Sequence, residues 1–189
     1  CVTGVQTCAL PISSGGGGVV PAGVDPAEPF VLCVGTIEIR KNHALVYQAY
    51  ALAAERGVEL PKLYLVGRRG WLADSTVHLL TEDPVVSPKV VLLGPCDDPQ
   101  LAWLYEHCRY TVYPSFAEGW GLPVAESVAH SKVCITCDRS SLPEVAGEYA
   151  DYVSAFDAAS LLDRMMHYAD DAVLEARERD LRTNFHPRS

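Results

Sequence analysis

Two carboxylates, Glu118 and Glu126, stand eight positions apart in Pro114-Ser115-Phe116-Ala117-Glu118-Gly119-Trp120-Gly121-Leu122-Pro123-Val124-Ala125-Glu126. Tyr110-Thr111-Val112-Tyr113 just before them reads as a short strand, and Pro114 to Gly121 as a tight loop of turn formers. Pro123 suits the first turn of a helix, where its missing N–H costs nothing. One carboxylate is therefore placed in a loop at a strand's carboxyl end, and the other about one turn into the next helix. Both can face the crevice where open α/β sheets bind nucleotides, and both are expected to be accessible, since Glu126 falls on the helix face opposite Val124 and Val128. Two glutamates at this spacing also suit a surface loop with solvated acids. The coincidence of Pro-Ser, Glu-Gly-Trp-Gly-Leu-Pro and a second Glu favours chemistry.

A second loop carries the opposite charge. Gly35-Thr36-Ile37-Glu38-Ile39-Arg40-Lys41-Asn42-His43 follows an apolar run and precedes a helical one. Arg40 offers a planar fork of donors and Lys41 a compact ammonium. Together they suit an anionic ligand. Two solvated basic residues before a helix fit the same pattern, and the loop alone does not choose between them. His43 is expected to cap or pack.

The elements that must hold these loops follow from periodicity. Phe30–Val34, 63–66, 90–93, 110–113 and 133–136 are apolar runs of strand length, and Gly35, Gly67 and Gly94 each end one. Residues 151–154 read as a further short strand. Helical spacing recurs over 44–55, about 71–80, 98–107, 123–130, 158–168 and 171–184, with Asp98 as a cap and Pro99 in the first turn. Strands alternating with helices predict an α/β fold: a Rossmann-like parallel sheet with helices on both faces. A loop is expected at Asp138, and the segment Asp138-Arg139-Ser140-Ser141-Leu142-Pro143-Glu144-Val145 is read as structural support.

Composition narrows the classes. The 189 residues fit one domain, 49% of them are hydrophobic, and the formal net charge is −9. That charge argues against nucleic acid or anionic lipid as a bulk partner, so an anionic ligand needs local cations. Neither a membrane-spanning run nor a signal peptide is evident, and a cytoplasmic location is expected. The seven cysteines form no disulfide framework, and Cys134-Ile-Thr-Cys137 is read as small core residues. There is no Walker loop or Gly-x-Gly-x-x-Gly, which argues against an ATPase or dehydrogenase. Residues 1–18 lack periodicity and run into four glycines, and they are read as a disordered, non-native tail. Residues 19–29 are read as a hinge segment, and 30–189 as the ligand-binding domain.

From about Gly23 to Asn184 the chain resembles the donor-binding, C-terminal half of retaining, metal-independent GT-B glycosyltransferases of family four, the glycosyl transferases of group 1. The double-glutamate motif carries that resemblance, with Val19-Val20-Pro21-Ala22-Gly23-Val24-Asp25 matching the family's hinge. The resemblance implies a nucleotide-diphosphate-sugar donor and no metal or other cofactor. It gives Glu118 the donor sugar's hydroxyls and Glu126 the ribose. Gly119, Trp120, Gly121 and Leu122 would offer backbone N–H groups to sugar and phosphate, beside Gly35. Lys41 matches the family's usual lysine. Its usual arginine position holds Thr36, so Arg40 is the substitute. Leu93 to Asp98 would hold the base. Similarity of Thr36 to Asn42 to mannosyltransferases implies mannose on a guanine nucleotide. The acceptor would be a saccharide or lipid-linked, bound by an N-terminal domain absent here, and membrane contact would come only through the parent protein. The alternative is a nucleotide-sugar binding module without activity of its own. Where relatives carry glycine after the second glutamate's helix, this chain has Ser131, which must then turn left-handed at some strain. A GT-A transferase would need Asp-x-Asp, and Asp97-Asp98 reads better as a turn and a cap.

Overall fold

A computed structural model describes residues 18–185. Apart from Gly18, the tail expected over residues 1–18 lies outside the described residues, as do positions 186–189. Gly18 itself lies against Trp103, 2.7 Å from that side chain's Cβ to a Cβ built on the glycine. The hinge segment follows the domain surface, with the Val19 N–H donating to the Pro99 carbonyl (3.2 Å) and the Asp25 N–H to the Tyr64 hydroxyl (3.2 Å).

Six strands form one sheet: β1 (Phe30–Val34), β2 (Lys62–Val66), β3 (Val90–Gly94), β4 (Tyr110–Tyr113), β5 (Cys134–Cys137) and β6 (Asp151–Val153). Their order is β3-β2-β1-β4-β5-β6, and every pairing is parallel. The connecting helices are α1 (His43–Glu55), α2 (Asp74–Glu82), α3 (Asp98–His107), α4 (Leu122–Ala129), α5 (Leu142–Ala146), α6 (Ala158–His167) and α7 (Asp171–Asn184). This is the Rossmann-like α/β architecture expected from the alternation. The pleat explains why the strands read as unbroken apolar runs. Val31, Cys33, Leu63 and Leu65 pack with α1 residues Leu45, Val46 and Ala49, whereas Phe30, Leu32, Tyr64 and Val66 pack with Trp103, Leu104 and Tyr105 of α3. Successive side chains point to opposite faces, and both faces are covered.

Four local readings change. The helix expected from Trp71 starts at Asp74, because Leu72 is left-handed (φ 52°) and breaks the helical path. The cap of α3 is Asp97, not Asp98. Its carboxylate accepts from the Gln100 N–H (3.0 Å) while Gln100 Oε1 accepts from the Asp97 N–H (3.1 Å), a reciprocal capping box that places Asp98 inside the first turn. Residues 142–146, for which the sequence predicts no element, form the short helix α5. Strand β5 is shifted by one residue, so Cys134 and Cys137 both lie in it as buried free thiols. Burial pushes both pKa values up to about 12, the reverse of what a redox cysteine requires. Ser131 is left-handed (φ 58°), as the missing glycine predicted.

Candidate functional site

The strand order reverses between β1 and β4. From β1 the chain moves outward through β2 and β3, then returns to pair β4 with the other side of β1. The loops leaving β1 and β4 therefore diverge around a crevice at the strands' carboxyl ends. Both predicted loops stand there, and they are joined. The Phe116 N–H donates to the Arg40 carbonyl at 2.9 Å, and the Ser115 hydroxyl oxygen lies 3.0 Å from the same carbonyl. Asn42, left-handed and buried, donates its amide to the Pro114 and Ala155 carbonyls at 3.1 and 2.9 Å, joining a third loop. The loop after β2 is equally fixed. A Cβ on Gly67 would meet the Gly35 carbonyl oxygen at 2.1 Å, so only glycine allows the two chains to pass.

Within this frame Arg40, Lys41 and Glu118 meet. Arg40 Nη1 donates to Glu118 Oε2 (2.8 Å) and to the Ala117 carbonyl (2.6 Å), and its Nη2 to Glu38 Oε1 (2.7 Å). Lys41 Nζ lies 2.8 Å from Glu118 Oε1 and donates to the Tyr113 hydroxyl. The Ser115 hydroxyl donates to the same carboxylate oxygen. Burial alone would raise the Glu118 pKa. The hydrogen bonds from Lys41, Ser115 and Arg40 outweigh it and hold the carboxyl below its ordinary value. The Glu118 side chain is only 7% exposed and that of Lys41 11%, whereas Arg40 retains 45%. The expectation that Glu118 is openly accessible is thus corrected: two cations and a hydroxyl enclose it. Gly35 belongs to the same group, since a Cβ there would sit 3.8 Å from Lys41 Nζ.

The loop then runs outward to α4. Gly121 is left-handed (φ 79°), and no side chain caps the helix. Among the described residues, no protein acceptor takes the N–H groups of Gly119, Trp120, Gly121 or Leu122. Gly119 faces open space, and the Trp120 ring is largely exposed. Uncommitted N–H groups at a helix start form a natural anion seat. Glu126 stands one turn further on, apart from the Arg40–Lys41–Glu118 group. Its Oε2 accepts from the Tyr105 hydroxyl of α3 at 2.9 Å. Burial raises its pKa, the Tyr105 bond opposes that rise, and Asp98 adds to it. The expectation of an unburied Glu126 opposite Val124 and Val128 is corrected too, because the buried Tyr105 packs beneath it.

Sequence reasoning missed Asn42, Tyr105 and Tyr113, and it read Ser140 only as part of a supporting segment, where its hydroxyl donates to the Glu118 carbonyl. Ser115 was visible only as part of the Pro-Ser signature. His43 packs, as expected. It is buried, and burial first, then the Lys41 charge, bring its pKa down to about 4. Among the described residues, no three His, Cys, Asp or Glu side chains gather as metal ligands, and no helix is long and apolar enough to cross a membrane.

The chain resembles known proteins in sequence and in fold. The chain is 34% identical over 128 residues to the serotype-specific mannosyltransferase WbdA of Escherichia coli, a match spanning 68% of this chain and 16% of that protein. It is 38% identical over 122 residues to the O-antigen chain mannosyltransferase B of Escherichia coli, spanning 64% of this chain and 32% of that one. The fold superposes on that of an S. aureus TarM variant in complex with fondaparinux, α-GlcNAc-glycerol and UDP. The TM-score is 0.70 at 17% identity, covering 88% of this chain and 33% of that one. The chain thus spans about a sixth to a third of the length of these curated relatives. Residues 21–184 match the family described as Glycosyl transferases group 1, and the chain belongs to that family.

Proposed function

We propose that the crevice between the β1 and β4 loops binds a nucleotide-diphosphate sugar, and that the parent protein transfers its sugar with retention to a saccharide or lipid-linked acceptor. The carrying observation is the enclosed Arg40–Lys41–Glu118 group beside the uncapped start of α4. It sets two cations and free N–H groups where a diphosphate leaving group would gather charge, and a carboxylate where sugar hydroxyls would need an acceptor. Arg40, Lys41 and the α4 N–H groups would supply the stabilisation that a metal gives elsewhere, so the reaction is proposed to need none. Glu118, Arg40 and Lys41 are assigned to the reacting end. Gly35, Gly119, Trp120, Gly121, Leu122 and Glu126 are assigned to the donor. The mannosyltransferase relatives favour a mannosyl donor, and GDP-mannose is the first ligand to try. The acceptor half is proposed to lie in a further domain of a cytoplasmic parent protein, and residues 1–18 to be a non-native tail.

Calorimetry of this chain with GDP, GDP-mannose, UDP and UDP-glucose tests the reading. Binding of at least one nucleotide sugar is expected, with Glu118→Ala weakening the sugar form while sparing the plain diphosphate. Equal losses with both ligands would remove Glu118 from the sugar. A second reading is a nucleotide-sugar binding module without activity of its own. Release of sugar to an acceptor by the isolated chain would exclude it.

A further inference from the structure

The Glu118 carbonyl is held by two hydroxyls of the loop that follows β5. Ser140 Oγ donates to it at 2.7 Å and Ser141 Oγ at 3.1 Å. Across a planar trans peptide the following N–H points the opposite way. The Gly119 N–H is therefore turned away from the two serines. Among the described residues it has no protein acceptor, and a Cβ on Gly119 would touch nothing within 4 Å. Because Gly119 tolerates many backbone angles, the Glu118–Gly119 peptide could flip at little cost. The flipped form would aim a carbonyl oxygen, not an N–H, at any phosphate or sugar oxygen in the crevice. Ser140 also adopts a left-handed conformation (φ 55°), which costs a serine free energy.

We infer that Ser140 and Ser141 are positioning residues that select the donor-binding orientation of the Glu118–Gly119 peptide and so present the Gly119 N–H to an oxygen of the bound nucleotide sugar. The inference rests on the donor-site reading above and extends it to residues on another loop. Neither serine touches the ligand in this scheme. Each acts through the carbonyl it holds.

The test uses the 189-residue chain, with calorimetry against GDP, GDP-mannose, UDP and UDP-glucose, and thermal melting as the control for folding. The double variant Ser140→Ala/Ser141→Ala should bind nucleotide sugar about tenfold more weakly, as expected for two lost hydrogen bonds to one group. Ser140→Gly and Ser140→Thr separate positioning from structural support. Glycine suits the left-handed backbone, so its melting temperature should hold or rise while affinity falls. Threonine keeps the hydroxyl but is strained there, so melting should drop while affinity is retained. Affinities that follow melting temperatures across the variants, or a double variant that binds like the wild type, would overturn the inference. If the double variant fails to fold, the glycine and threonine pair decides alone. Wild-type protein that binds none of the four ligands would overturn the donor-site reading and this inference together. Tight wild-type binding with indifferent variants would overturn only the latter.

Discussion

Glu118 and Glu126 belong to one motif, yet their surroundings are opposites. Glu118 sits among two cations and a hydroxyl, and its pKa is held down. Among the described residues Glu126 has a single neutral donor, Tyr105, on a half-buried helix face, and its pKa is raised. The first charge is stabilised by the folded protein, and the second is tolerated by it. A carboxylate already matched by cations is part of the fold as well as of the site. One that is under-matched has spare hydrogen-bonding capacity for an incoming hydroxyl group.

Breaking the stronger of these environments should have the largest effect. Glu118→Gln leaves Lys41 almost buried without its counter-charge. Urea denaturation should show a loss of roughly 2–3 kcal/mol, below the range of about 3–5 kcal/mol for breaking a fully buried pair because Arg40 stays half in water. An unchanged midpoint would mean that the pair contributes nothing to folding. Next come the cations. Arg40→Ala and Lys41→Ala should each weaken nucleotide-diphosphate binding by roughly 1–3 kcal/mol and leave the free nucleoside nearly unaffected. Equal losses for the nucleoside would mean that the loop shapes the fold and does not grip phosphate.

Acid should separate the two carboxylates further. The folded-state pKa of Glu118 lies below its ordinary value of 4.5, so its contribution is complete above that value and is lost as pH falls through the lowered one. Melting temperature should drop over that window in the wild type, and the drop should be smaller in Glu118→Gln. For Glu126 the sign reverses. Its raised pKa means that the charged form opposes folding once pH exceeds the ordinary value, so protonation or its amide mimic stabilises. Glu126→Gln should give the smallest effect, a slight rise in melting temperature at pH 7 accompanied by weaker binding of nucleotide and nucleotide sugar alike. A fall in melting temperature would place Glu126 with Glu118 as a structural charge.

Much of this was legible in the chain. Unbroken apolar runs ending at glycine gave the parallel strands, because strands buried on both faces show no alternation. The two loops and their carboxylate and cations were legible because turn formers and Pro123 punctuate them sharply. What could not be read was pairing at long range. Nothing near Glu118 in sequence reveals that Arg40, 78 residues away, meets its carboxylate, and nothing marks Tyr105 as the partner of Glu126. Both carboxylates were therefore expected to be open when both are partly enclosed. Leu72 adopts a left-handed angle that no residue preference signals, so the start of α2 stayed hidden, and the 138–145 segment was legible as support without the Ser140 and Ser141 hydrogen bonds that provide it. Ser131 was visible only because a glycine was missing from a familiar place.

Gly67 and Gly119 look alike in the sequence and differ completely in what they forbid. Any side chain at Gly67 collides with the Gly35 backbone, whereas a methyl group at Gly119 meets only open space. In a saturation library selected for folding alone, position 67 should return glycine almost exclusively and position 119 should return a broad spread. Only when the same library is selected for ligand binding should diversity at 119 collapse. The contrast between the two selections would then map the bound molecule by the variation it removes.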